Sequence, residues 1–155
     1  MVNPSILQLV HVMKRIHNKK MKAISFDSNF NKKYNKQTIL KIKAYQPITQ
    51  VPTSLTKWFD QFGIEITDKR KGNSKYHCVL AGDYLEHTKD FFERFEQIHN
   101  CCCQDGFIVL DLPFSVNSGL FAYQANLFKQ LAEQNEYDVA YLSLIHISEP
   151  TRPER

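Results

Sequence analysis

Hydrophobic positions recur along this chain in two rhythms, and the switches between them predict its elements. Ile6, Leu9, Val10, Met13 and Ile16 fall at helical spacing within residues 4–20. Lys14, Arg15, Lys19 and Lys20 gather toward the end of that stretch, where cations complement a helix dipole. "KAISFDSNF" reads as a short strand and "NKKYNK" as a turn. "TILKIKAYQ" alternates Leu40, Ile42 and Ala44 with Lys41, Lys43 and Tyr45, the period of a half-exposed strand. Pro47 and Pro52 frame a connection, and Thr53 or Ser54 is placed to cap a helix over "LTKWFDQF" that Gly63 ends. "IEIT" is a strand with Ile64 and Ile66 on one face. "DKRKGNSK" carries Gly72-Asn73 and reads as a hairpin loop, with "YHCVLA" as the returning strand.

Further on, Gly82-Asp83 opens a helix to about His99, with Leu85, Phe92, Phe95 and Ile98 in its apolar stripe. Asp105-Gly106 predicts a turn and "FIVLDL" a continuously apolar, buried strand. "PFSVNSG" is a loop, "LFAYQANLFKQLAEQ" a helix, and "YDVAYL" the start of another strand. From Thr38 to Leu112 the order is β-α-β-β-α-β. That order predicts an α+β, ferredoxin-like split βαβ fold, with an antiparallel sheet and two helices on one face, followed by a truncated αβ unit. The rival arrangement is a Rossmann-like three-layer α/β fold, in which "YHCVLA", "FIVLDL" and "YDVAYL" are parallel strands joined by helices. The Gly72-Asn73 turn between two short strands favours the first. The organisation expected is a basic helix and extension over 1–36, the α+β domain over 37–141, and a separate tail over 142–155.

That tail, "LSLIHISEPTRPER", carries no chemistry. Residues 142–152 resemble, position for position, the translation of a transposase adapter used in preparing sequencing libraries. The resemblance implies a non-native tail that has no part in the fold.

A content of 43% hydrophobic and 23% charged residues is that of a soluble globular domain. No apolar run reaches the length of a membrane span, and no secretory signal opens the chain, so the expected compartment is the cytoplasm. Charge is divided unevenly. Residues 1–75 hold fifteen Lys/Arg against four Asp/Glu, net +11, whereas residues 76–141 hold three against ten, net −7. Such a division points to a polyanionic partner for the first half. Cys78 and the run Cys101-Cys102-Cys103 lack the C-x₂₋₄-C spacing of zinc sites, so reduced thiols rather than a metal are expected.

Two sites compete for function. In the split-βαβ arrangement Lys41, Lys43 and Tyr45 lie on an open sheet face beside Lys75, and cations with an aromatic ring suit single-stranded nucleic acid. Nucleic-acid binding is therefore the first expectation. The second is an enzyme with a phosphate or nucleotide site in "LDLPFSVNSGLF". There Asp111 ends a strand, Ser115, Asn117, Ser118 and Gly119 form the loop, and a following helix start offers unpaired N–H groups. Neither G-x-G-x-x-G nor G-K-[ST] occurs in that loop, so no cofactor is specified. A third reading is a protein-interaction domain whose oppositely charged halves attract. Asp83, Glu86, His87 and Asp90 read as a solvated acidic helix start.

"YHCVLAGDYLEHTKDFFERF…FIVLDLPFS" is loosely similar in rhythm to the catalytic part of replication-initiator proteins of plasmids and phages. The resemblance covers about a third of the chain and implies a replication or mobile-element role. That pattern has two acidic residues on its last strand; here Asp111 is present and Ser115 stands near the place of the second.

Overall fold

Met21, Ala23, Ile24 and Ser25 are each no more than 1% exposed. A strand buried on both faces needs neighbours on either side and layers above and below it, which places "MKAIS" at the centre of a sheet. In the computed structural model this segment, β1 (Met21–Ser25), is the inner strand beside two others. The structure describes residues 20–27, 33, 36, 39–40, 52–86, 88–112 and 123–139. Residues 142–155 lie outside them.

After β1 come α1 (Leu55–Gln61), β2 (Ile64–Thr67), β3 (Tyr76–Ala81), a 3₁₀ turn (Asp83–Leu85), α2 (Phe91–Cys101), β4 (Cys102–Leu110) and α3 (Ala125–Gln134). The strands lie in the order β2-β1-β3-β4, and every pairing is parallel. Alternation along the strands divides the core between two faces. Met21, Ala23, Ile64, Cys78 and Leu80 meet Leu55, Trp58 and Phe59 of α1 on one side. Ile24, Val79 and Ala81 meet Leu85, Phe91, Ile98 and Tyr123 on the other, where Leu127, Phe128 and Leu131 of α3 also pack.

The antiparallel, ferredoxin-like arrangement is therefore not the one formed. Gly72 does turn, with φ +55° and Ser74 N–H donating to Lys71 O at 3.0 Å. That turn does not make a hairpin, because β1 lies between β2 and β3. Residues 68–75 instead form a parallel crossover. Eight residues reach at most about 29 Å, and the return along a short strand and across two strand spacings needs roughly 16 Å. The burial gained by a doubly covered β1 outweighs the local turn preference. The parallel pairing of "YHCVLA" with "FIVLDL" agrees with the rival arrangement. Tyr137, Asp138 and Val139 of the expected strand "YDVAYL" are not in a strand, however, and the rest of it lies outside the described residues.

Other expectations are corrected in the same way. Ile39 and Leu40 are helical, so "TILKIKAYQ" does not begin as a strand; Lys41, Lys43 and Tyr45 lie outside the described residues. β1 belongs to the segment expected as an extension, so residues 21–25 and the later strands share one sheet. Asp105-Gly106 is not a turn but part of β4, which follows α2 with no loop between them. The helix expected over 83–99 is divided: Thr88 Oγ1 accepts from Asp90 N–H at 3.1 Å, and α2 starts at Phe91. That start rotates the apolar stripe. Phe91 is 7% exposed and Phe92 68%, so Phe91, not Phe92, joins Phe95 and Ile98. The helix expected from 120 to 134 starts at Ala125, with Gln124 extended.

Two local readings agree with the structure. Ser54 Oγ accepts from Lys57 N–H at 3.3 Å as the cap of α1. Gly63, at φ +67°, follows the end of that helix in a conformation glycine adopts without strain.

Candidate functional site

Because all four strands run the same way, their carboxyl ends gather at one edge. The chain moves from β1 outward to β2, then returns past β1 to β3 and β4. The direction of progress thus reverses between β1 and β3. Open α/β sheets bind ligands outside the carboxyl ends of the strands at such a reversal.

The connections leaving β1 and β3 meet there. Phe26 N–H donates to Leu80 O at 2.9 Å and extends the ladder one residue beyond β1. Asp27 N–H then donates to the buried Ser25 Oγ at 3.2 Å, which turns the backbone. The Asp27 carboxylate comes to rest on Gly82: a Cβ at Gly82 would lie 3.1 and 3.3 Å from its two oxygens. Glycine permits that approach.

An aromatic and cationic group stands beside this contact. The Phe26 and Tyr84 rings are 4.9 Å apart, and the Arg94 guanidinium lies 4.7 Å from the centre of the Tyr84 ring. Arg94 Nη1 donates to Tyr84 O at 2.7 Å, while Tyr84 OH donates to Gln97 Oε1 at 2.6 Å. Tyr123 OH donates to Leu85 O at 2.7 Å, fixing the 3₁₀ turn from the side of α3. Burial raises the Tyr123 phenol above its ordinary value, and the negative Glu86 adds to the rise. Contacts from α2 and Tyr123 thus hold the 3₁₀ turn at this edge.

Of the residues expected to bind phosphate, Asp111 is exposed directly beyond the carboxyl end of β4, on this same edge. Ser115, Asn117, Ser118 and Gly119 lie outside the described residues. The described helix that follows starts at Ala125. Of the residues expected to bind nucleic acid, Lys75 is described. It precedes β3, at the opposite edge, and its Nζ donates to Asn100 O at 2.6 Å near the end of α2. The structure therefore separates Lys75 from Asp111. The open sheet face expected beside Lys75 is also not there, since helices pack on both faces.

Sequence reasoning missed Asp27, Gly82, Tyr84 and Arg94. The available sign was an acidic residue or glycine closely following each of two apolar strands, "MKAIS" and "YHCVLA". It marks a site only when the strands are parallel neighbours.

At the amino edge all four cysteines carry free thiols. Burial pushes Cys78 up to about 12, helped by the nearby Cys102, and pushes Cys102 itself up to about 12. Thiols so protonated are poor nucleophiles and poor metal ligands. Among the described residues no three His, Cys, Asp or Glu side chains are grouped to hold a metal ion, and no helix is long and apolar enough to cross a membrane. The chain matches no protein-family model, no curated protein and no solved structure.

Proposed function

We propose that this chain is part of an enzyme that binds a phosphate-bearing ligand, most simply a nucleotide, at the carboxyl edge of its parallel sheet. The supporting observation is the contact of Asp27 with Gly82 at the β1–β3 reversal, with Asp111 ending β4 on the same edge. In the sequence Asp111 is followed by Ser115, Asn117, Ser118 and Gly119, residue types that suit hydrogen bonding to phosphate and close backbone approach. Carboxylates alone repel phosphate. The ligand is therefore read as carrying Mg²⁺, which is commonly held by one or two carboxylates together with the substrate's own phosphates.

Thermal unfolding with ATP, GTP or inorganic phosphate, each with and without Mg²⁺, tests this reading. A nucleotide at ten times its Kd adds about 1.4 kcal/mol, which raises Tm by roughly 4 °C in a chain of this size. Asp27→Asn and Asp111→Asn are each expected to reduce that rise. A melting curve unmoved by every ligand, or a rise untouched by both substitutions, overturns the reading.

A further inference from the structure

The opposite edge of the sheet has a different character. Lys20 and Lys22 are exposed at the start of β1, and every residue of the 68–75 crossover is exposed. That crossover holds Lys69, Arg70, Lys71 and Lys75 against the single acid Asp68. The fold draws its later part to the amino edge. Lys71 N–H donates to Tyr76 OH at 3.3 Å, at the first residue of β3. Lys75 Nζ reaches Asn100 O near the end of α2. Arg70 and Lys75 both stand near enough to Cys101 for their charges to act on its thiol. Lys22 N–H donates to His77 Nδ1 at 3.1 Å, which ties the start of β1 to the start of β3. Cations remote in sequence are thus assembled beside one another. Among the described residues no carboxylate pairs with Lys69, Arg70 or Lys71.

We propose that this basic amino edge, formed by Lys20, Lys22, Arg70, Lys71 and Lys75, is a docking surface for the phosphate backbone of a nucleic acid. The surface is independent of the ligand site at the carboxyl edge. Lysines and arginines on an exposed connection suit repeated phosphates because each contact releases condensed counterions, and no fixed geometry is required. The partner is taken by its backbone, so binding does not depend on base sequence. This relocates the nucleic-acid partner implied by the +11 balance of residues 1–75 from a sheet face to a sheet edge.

Fluorescence anisotropy of the full chain with a labelled single-stranded oligonucleotide, and in a second arm with its duplex, is followed from low to physiological ionic strength. The variant Arg70→Ser/Lys71→Ser/Lys75→Ser lies in an exposed connection and is expected to keep the wild-type melting curve. It is expected to weaken binding about tenfold or more at low salt and to lower the salt slope by up to about 2. The control Lys57→Ser/Lys89→Ser/Lys129→Ser removes as much charge from exposed positions elsewhere and is expected to leave most of the affinity. Binding of either nucleic-acid form with that contrast supports the surface. Equal loss in both variants, no loss in the first, or no binding of either form at low salt overturns it. So does binding to phosphatidylserine vesicles without binding to oligonucleotides.

Discussion

The two edges of the sheet are built from the same four strands and carry opposite chemistry. Where the strands leave the sheet stand Asp27, Asp68, Gly82 and Asp111; where they enter stand Lys20, Lys75 and Cys101. The difference teaches what strand direction does to a sequence. In a parallel sheet every residue before a strand collects at one edge and every residue after a strand at the other. An antiparallel sheet interleaves the two sets and would mix these charges. Packing differs between them as well. The carboxyl edge is braced by side chains reaching backbone carbonyls across tertiary distance, as with Arg94 to Tyr84 and Tyr123 to Leu85. The amino edge has tertiary hydrogen bonds too, Lys75 to Asn100 and Lys22 to His77, and adds tight packing around Cys102 and Gly106.

That contrast in bracing is most directly broken through the two glycines. A Cβ on Gly106 would lie 2.6 Å from Cys102 Sγ, 3.0 Å from Cys103 O and 3.1 Å from His77 O. Two of those atoms are backbone and cannot swing away, so Gly106→Ala is expected to cost about 2–3 kcal/mol in urea unfolding. At Gly82 the obstacle is the Asp27 carboxylate, a side chain able to yield. Gly82→Ala is expected to cost about 1 kcal/mol or less. A larger loss at Gly82 than at Gly106 would reverse the assignment of the rigid edge.

Alkaline pH separates the edges next. Cys78, Cys102 and Tyr137 are all held up at about 12, chiefly by burial, from ordinary values of 9.0 for the thiols and 10.0 for the phenol. His99 Nδ1 lies 2.7 Å from Tyr137 OH, which ties the phenol to α2. The folded chain keeps protons that the unfolded chain releases from about pH 9, so this stabilisation is complete below that pH and is lost as pH rises toward 12. Urea midpoints measured across that window are expected to fall. Cys102→Ala should flatten the decline; a decline of unchanged steepness would place the titrating groups elsewhere.

The smallest contrast compares one polar contact from each edge. Tyr123→Phe removes a buried hydroxyl from Leu85 O and is expected to cost about 1 kcal/mol by thermal unfolding. Lys75→Met removes the contact to Asn100 O from an exposed side chain, and its effect is expected to fall within the scatter of ordinary surface substitutions. A Lys75 effect exceeding that of Tyr123 would mean that the amino edge depends on charge as well as packing.

Much of the local structure was legible in the residues. Ser54 as a cap, Gly63 after α1 and the strands "IEIT", "YHCVLA" and "FIVL" follow from side-chain chemistry acting over a few positions. The full burial expected of "FIVL" is not found, since Phe107 to Leu110 are half-buried in the outer strand β4. The phase of α2 was not legible, because Thr88 and Asp90 interrupt the pattern and set its start at Phe91. Asp111 was recognisable as the end of a strand, whereas Asp27 and Gly82 were not recognisable as partners, being 55 residues apart in the chain.

The sequence by itself determined that strands and amphipathic helices would form, that cations would dominate the first half, and that thiols would remain without zinc spacing. Only the tertiary structure decided the direction and order of the strands. Gly72-Asn73 can serve a hairpin or a crossover with the same local geometry. The choice between them rests on where Met21, Ala23 and Ile24 find burial on both faces, and that burial exists only once α1 and α2 have packed against opposite sides of the sheet.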